Sequence, residues 1–235
     1  MFANALHKIV LTSILVVCLT GSAFAKDAKA AIRDAEKAMG DVTSVRYSGT
    51  GKLGVVGMNW STTGPWHSTD LTKYTRTIDY PSASSREDLT RAQEDPPALG
   101  GEAPFWNPIV EGRVVSGKYA WDQPADSNTP LPPDFARAAP GAVEARNLQI
   151  WLTPHGFLKA ASANGAVAKD VSEGGKGFTA LTFTKGKNKI TGLLNGQNLV
   201  TRIETTIPNP VLGDMPVVVT FASYKTFGAM KFPTH

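Results

Sequence analysis

The sequence predicts an α+β fold in which a curved antiparallel sheet carries helices on one face. Three observations support this prediction. An amphipathic helical pattern near the N-terminus precedes a strand-like segment that is interrupted by glycines. Two further helical segments lie in the middle of the chain, at 142–152 and 153–164. Four apolar, alternating segments then follow without another helix, which is typical of an antiparallel meander.

The first 25 residues have the organisation of a cleaved export signal. A weakly basic start is followed by an apolar run over 9–20, and Ala23 and Ala25 are the small pair that a signal peptidase recognises. The run is shorter than the ~20 residues that a membrane-spanning helix needs. We therefore predict cleavage between Ala25 and Lys26, and a single mature domain over 26–235 that is periplasmic or secreted.

Cysteine and charge narrow the class of protein further. The one cysteine, Cys18, lies inside the predicted signal; lipidation there is the alternative, but the bulky Val17 fits it poorly. The mature domain must then depend on its core without disulfides. The chain carries 24 Lys and Arg against 20 Asp and Glu, and the charges are scattered, so we predict no nucleic-acid partner. We also predict no cofactor and no transmembrane helix in the mature chain.

One basic cluster stands apart from this scatter: Lys185, Lys187 and Lys189 alternate, which places them on one side of a strand or hairpin. Such a cluster is typical of a solvated edge that opposes aggregation. The alternative is contact with an anionic partner such as a membrane surface.

The first elements are a helix and two strands. Small and apolar residues recur at three- and four-residue spacing up to Gly40, which predicts a helix that ends there. A strand is predicted at 45–58, where glycines at 49, 51, 54 and 57 indicate bends or bulges. These glycines superficially match a dinucleotide-binding motif, but that motif needs a preceding strand and a following helix. Another alternating strand at 69–80 ends at Pro81.

A long irregular insert is predicted at about 82–140. Nine of the 16 prolines fall in it, and only 113–121 is strand-like. Loops of this length are commonly functional or mobile. The adjacent carboxylates Glu87 and Asp88 are expected to lie on a solvated surface of this insert.

The C-terminal half predicts helices and then strands. Thr153 and Pro154 are a cap and a first helical residue, and Asn164 with Gly165 ends that helix. Asn195-Gly196 is a hairpin signal between two of the later strands. Those strands are predicted at 178–184, 189–194, 199–207 and 215–224. The segment 215–235 shows no closing turn, so we expect the chain to be one domain of a larger protein.

Five tryptophans are more than the core obviously needs. The simpler interpretation is that they fill the core under a strongly curved sheet. In the alternative, Trp60, Trp66 and Trp121 line an apolar groove that binds a hydrophobic ligand.

Two family resemblances bear on the fold and function. The order of elements resembles the outer-membrane lipoprotein carrier superfamily, which implies a half-open barrel whose helices lie on its concave face and cover an apolar groove. The local segments WLTPHGFLKA (151–160), NPVLGDMP (209–216), YKTFG (224–228) and KFPT (231–234) resemble the N-terminal region of exported metallo-β-lactamase-fold hydrolases. In those hydrolases, this region precedes the metal-binding domain.

The catalytic residues of that hydrolase family are not found in this chain. Two zinc ions need a clustered His-x-His-x-Asp-His type of motif, whereas the histidines here are far apart, at 7, 67, 155 and 235. The sequence also has no G-x-S-x-G motif and no cysteine nucleophile in the mature domain. We therefore predict no catalytic residue and no bound metal.

Three functional hypotheses remain. The first is an exported, non-catalytic domain that binds an apolar or lipid-like ligand or serves as an accessory module. The second is the N-terminal part of a metallo-β-lactamase-fold hydrolase without its metal-binding domain. The third is an interaction domain for an envelope protein.

Overall fold

The computed structural model describes residues 27–54, 63, 67–94, 107–125, 135–209 and 213–235. These residues form an α+β fold, mostly antiparallel sheet with three helices, and the sheets are not closed. The predicted fold class is therefore confirmed, whereas the half-open barrel and the helices on its concave face remain predictions. The predicted cleavage site, Ala25 and Lys26, lies outside the described residues.

The first sheet has six strands in sequence order, each antiparallel to the next. Its strands are β1 (Ser44–Gly54), β2 (Ser68–Asp79), β3 (Ser84–Gln93), β4 (Ile109–Ser116), β5 (Tyr119–Ala125) and β6 (Arg137–Ala138). The pairing of β1 with β2 shifts register between Gly49 and Gly51, as expected of glycines that bend a strand.

The prediction of an irregular insert over 82–140 is wrong for the part that the structure describes, because β3, β4 and β5 lie there. The strand-like piece at 113–121 is in fact parts of two strands, joined by a turn with Gly117 at φ +55°. The sequence pattern hid β3 because its inward-facing residues include Glu87, whose carboxylate is paired with Arg76 rather than solvated. A strand with charged residues on both faces lacks the apolar alternation that identifies strands.

The second sheet has five antiparallel strands in the order β11-β10-β9-β8-β7. They are β7 (Val167–Glu173), β8 (Lys176–Lys185), β9 (Asn188–Leu194), β10 (Val200–Asn209) and β11 (Gly213–Thr220). The predicted meander is confirmed, with β7 as an additional strand. In the turn between β9 and β10, the Asn195 side chain accepts hydrogen bonds from the backbone N–H groups of Gln197 and Leu199, and Asn198 rather than Gly196 has positive φ.

Three helices, α1 (Ala28–Met39), α2 (Val143–Trp151) and α3 (Pro154–Ala163), pack against the sheets. The larger core joins all three helices to β8, β9 and β10, and the smaller core joins α2 to the first sheet. Leu148 and Leu152 belong to the larger core, Ile150 belongs to the smaller one, and Trp151 contacts both. The α2 segment therefore connects the two cores.

The C-terminal segment forms a hairpin of β12 (Tyr224–Phe227) and β13 (Met230–Pro233). The expectation of a segment without a closing turn is therefore wrong. Gly228 supplies positive φ at the first position of a two-residue turn. The following alanine is not a typical turn residue, which makes this hairpin hard to predict from the sequence. The ring of Phe232 packs against Tyr47 and His155, at centroid distances of 5.1 and 5.9 Å.

Candidate functional site

A cavity of about 650 Å³ lies between the first sheet, the start of α3, the end of β11 and the C-terminal hairpin. We call it the seam cavity. Its volume falls within the ~300–1,000 Å³ that is usual for small-ligand sites. The larger apolar residues that line it are Val45, Tyr47, Leu71, Tyr74, Phe221, Phe227, Met230 and Phe232.

The register of β1 and β2 places the aromatic wall of the seam cavity. Tyr47 lies opposite Arg76, and Gly49 lies opposite Tyr74, so Tyr47, Gly49 and Tyr74 share one face of the sheet. The Tyr47 ring lies 6.1 Å from that of Tyr74. Among the described residues, a Cβ atom at Gly49 would meet nothing within 4 Å. The cavity therefore owes part of its space to the missing side chain at Gly49.

The polar end of Tyr74 is fixed by a buried ion pair. Its hydroxyl donates to Glu87 Oε1 at 2.8 Å, and the same oxygen lies 3.4 Å from Arg76 Nε. Arg76 Nε also donates to Ser85 Oγ at 3.0 Å. Burial raises the pKa of Tyr74, and the nearby Tyr47 and Glu87 raise it further. Tyr74 therefore keeps its proton, and its ring remains on the cavity wall.

A second charged group lies on the same face of the first sheet, further along β3 and β4. Glu111 accepts from Arg91 Nη2 at 2.6 Å and from Arg113 Nη2 at 2.7 Å. Burial alone would raise the pKa of Glu111, but the hydrogen bonds and charges of the two arginines hold it below its ordinary value. These groups neutralise one another, which suits a structural network better than acid–base catalysis.

The α2 helix is attached to the first sheet by Arg146. Its Nη1 donates to the carbonyl oxygens of Val114 and Trp121, at 3.0 and 2.9 Å, and its Nη2 pairs with Asp122. Because the guanidinium presents several donors in a fixed plane, one side chain satisfies two strands at once. These bonds fix α2 against β4 and β5, and α3, which forms part of the cavity, follows directly in the chain.

Of the three tryptophans predicted to line a groove, the structure describes only Trp121. Trp60 and Trp66 lie outside the described residues, so their place in a groove stays a prediction. Trp121 is half-buried on β5 and is not among the residues that line the seam cavity. Sequence reasoning missed Tyr47, Tyr74 and the aromatic residues of the hairpin, although aromatic side chains on alternating strands were a signal that could have identified them.

The lysine cluster contacts α2 on the outside of the molecule. Lys185 Nζ lies 4.7 Å from the centroid of the Trp151 ring, and Lys187 pairs with Glu144 at 3.1 Å. Both contacts lie within the chain, which fits the interpretation of a solvated edge better than that of a dedicated anion site.

The histidines that the structure describes are not arranged for metal binding. His155 Nε2 lies 3.3 Å from the carbonyl oxygen of Met39, and its ring is stacked on Phe232. Across the described residues, no three His, Cys, Asp or Glu side chains are grouped so that they could hold a metal ion. Within the same residues, no helix is long and apolar enough to cross a membrane.

Comparison with known protein families, curated proteins and solved structures finds no match for this chain. The two family resemblances therefore remain predictions, and the function is argued from the geometry of the seam cavity.

Proposed function

We propose that this protein is an exported, non-catalytic domain that binds an apolar ligand in the seam cavity. The observation that carries the proposal is a cavity of about 650 Å³ whose walls are mainly aromatic and aliphatic side chains. Apolar walls favour a ligand that gains by leaving water. Export rests on the N-terminal sequence alone.

The charges around the cavity restrict the ligand further. Arg46 lines the cavity, and no acidic residue appears among the described lining residues. This arrangement disfavours a cationic ligand and accommodates a neutral or anionic one. An apolar chain with a carboxylate at one end, such as a fatty acid, is therefore a suitable probe.

The size of the cavity limits the affinity. Burial of roughly 200 Å² of apolar ligand surface gains on the order of 5 kcal/mol before the cost of association is subtracted. We therefore expect weak binding, with a dissociation constant of about 0.2 mM or higher.

The test of this proposal is a variant in which a larger side chain on β1 fills part of the cavity. In Gly49→Leu, the new side chain enters the cavity without meeting a described atom at its Cβ. We expect this variant to bind the fluorescent fatty acid cis-parinaric acid at least roughly tenfold more weakly than the parent protein, a loss of about 1.4 kcal/mol. Fluorescence titration measures the affinity, and circular dichroism checks that the variant is folded.

Gly177→Leu is the matched control. Gly177 lies on β8, away from the cavity lining, and a Cβ there also meets nothing within 4 Å. This variant should bind the fatty acid as the parent does. Equal binding by Gly49→Leu, or no binding by the parent up to millimolar concentrations, would contradict the proposed function.

A further inference from the structure

The seam cavity lies over the face of the first sheet that carries Tyr47, Gly49 and Tyr74, and it also reaches the edge of β1. Arg46, Tyr47, Ser48, Gly49 and Thr50 all line it. Consecutive residues of a strand point to opposite faces of the sheet, so a cavity on one face would contact only alternate residues. A cavity that contacts six residues in succession, from Val45 to Thr50, therefore also reaches the backbone at the edge of the strand.

The hydrogen-bond pattern shows which backbone groups of β1 face that cavity. The N–H of Tyr80 donates to the carbonyl oxygen of Thr43 at 3.0 Å, which makes these two a hydrogen-bonded pair just before β1 begins. Hydrogen-bonded and non-hydrogen-bonded pairs alternate in an antiparallel sheet. Val45 and Tyr47, two and four residues further on, therefore direct their backbone groups at β2.

It follows that Arg46 and Ser48 direct their N–H and C=O groups away from β2, toward the cavity. Among the described strands, β1 has only β2 as a neighbour. The edge of β1 therefore offers two residues with backbone donors and acceptors in register for another strand. Natural proteins usually block such an edge, because it recruits other strands.

The free edge of β11, by contrast, is blocked. The N–H of Phe221 donates to the carbonyl oxygen of Thr201 at 2.9 Å, so these two residues are a hydrogen-bonded pair. Hydrogen-bonded and non-hydrogen-bonded positions alternate along β11, and Pro216, five residues before Phe221, therefore directs its backbone away from β10. Proline has no N–H, so this edge lacks a donor where a new strand would need one. In β1 the equivalent outward position is Ser48, which retains its N–H.

We infer that an extended polypeptide segment of a partner protein adds to the free edge of β1 as a further strand and places its apolar side chains in the seam cavity. This inference rests on the proposed function, and it names the ligand class: apolar side chains carried on a peptide backbone. In this mode of recognition, backbone hydrogen bonds supply affinity and the pockets for alternate side chains supply specificity.

Charge complementarity defines the chemistry of that segment. Arg46 lines the cavity, and Lys225 shares the hairpin face that carries Phe227, Met230 and Phe232. Neither Arg46 nor Lys225 forms an ion pair with another described residue, and the described lining has no acidic side chain. The segment should therefore alternate apolar residues with aspartate or glutamate.

The test uses an array of capped peptides in which apolar residues alternate with glutamate or aspartate, assayed against the parent protein. The best binder is then measured by titration calorimetry against two variants. In Ser48→Pro the outward N–H is lost; in Ser48→Ala it is kept. Both variants lose the contact of Ser48 Oγ with Thr75 Oγ1 at 2.9 Å, so the pair isolates the backbone donor.

We expect Ser48→Pro to bind the peptide at least tenfold more weakly than Ser48→Ala. A peptide that is N-methylated at alternate residues, on the side that pairs, should lose affinity to a similar extent. Peptide binding should also slow amide hydrogen exchange at Arg46 and Ser48 but not in β11.

Three outcomes would overturn the inference: equal peptide binding by the two variants, equal binding of the N-methylated peptide, or no binder in the array. If no peptide binds while cis-parinaric acid does, strand addition is wrong and the proposed function stands. If neither binds, the proposed function fails as well. Far-UV circular dichroism and urea unfolding check that Ser48→Pro and Ser48→Ala are both folded.

Discussion

His155 shows how one buried side chain responds to its surroundings. Its Nε2 faces the carbonyl oxygen of Met39, and its ring stacks on Phe232 with an angle of 8° between the planes. Burial lowers the pKa of His155 below its ordinary 6.5, and the charge of Lys159 acts in the same direction. The hydrogen bond to Met39 and the charge of Asp41 oppose this shift only in part.

This shift predicts a loss of stability in mild acid. The folded state prefers the neutral imidazole, so its contribution is complete above the unfolded pKa near 6.5 and is lost as the pH falls toward the lower folded pKa. The slope for this one proton cannot exceed about 1.4 kcal/mol per pH unit. In His155→Gln the amide can still donate to Met39 but does not titrate, so urea unfolding should depend less on pH between 7 and 5. Parallel pH profiles for the two proteins would show the prediction to be wrong.

At the scale of elements, α3 packs closely on β9 because Gly192 of β9 has no side chain. Phe157 is fully buried, and a Cβ built on Gly192 would lie 2.3 Å from its Cζ atom. The Phe157 ring also packs against Phe183, at 5.5 Å between centroids. A glycine inside a strand often marks such a close approach. Gly192 therefore sets how near α3 can come to the second sheet.

Gly192→Ala should destabilise the protein by about 1–3 kcal/mol, because the overpacked Phe157 ring must move. Chemical denaturation measures the loss. Gly177→Ala, at a strand position with free space around it, should be neutral or slightly stabilising. The double variant Gly192→Ala with Phe157→Leu should cost less than the sum of the two single changes, since the smaller side chain relieves the clash. Additive losses would mean that the contact is not the cause.

At the scale of the whole molecule, two cores share one connecting helix. Ile150 lies in the smaller core and Leu148 in the larger one, on the same nine-residue helix α2. Arg146 adds hydrogen bonds from that helix to the first sheet. The α2 helix cannot leave one core without disturbing the other, so we expect both sheets to unfold together.

This coupling predicts a single unfolding transition. Ile78→Val in the first sheet and Ile203→Val in the second each remove one buried methyl group and should each cost about 0.5–1.5 kcal/mol. Both changes should lower the same melting temperature, whether it is followed by far-UV circular dichroism or by tryptophan fluorescence. Two transitions, each moved by only one of the variants, would instead indicate two independent units.

The parts of this fold that sequence predicts are those with local signals. The end of α1 at Gly40, the start of α3 at Pro154 and the meander all depend on residues within a few positions of one another. β3 was missed because Glu87 faces inward, and its carboxylate is buried through ion pairing with Arg76, a partner on another strand. A pattern of apolar residues cannot reveal a buried charge whose partner is not known.

The seam cavity could not be predicted from the sequence for a similar reason. Tyr47 and Phe232 come from opposite ends of the chain and meet only after both sheets and the hairpin are in place. The tryptophans suggest a groove through their number, whereas the cavity depends as much on the small Gly49. The cavity volume next to a glycine cannot be predicted from the large residues around it.

His235 itself lines the seam cavity, and its carbonyl oxygen accepts a hydrogen bond from the N–H of Ala222 at 2.7 Å. Anything fused after His235 would therefore be held beside the seam cavity. A short flexible tether gives an effective concentration in the millimolar range, enough for even a weak intramolecular ligand to occupy the cavity. A C-terminal affinity tag would then compete with free ligand, whereas a deliberately fused peptide could be used to saturate the site.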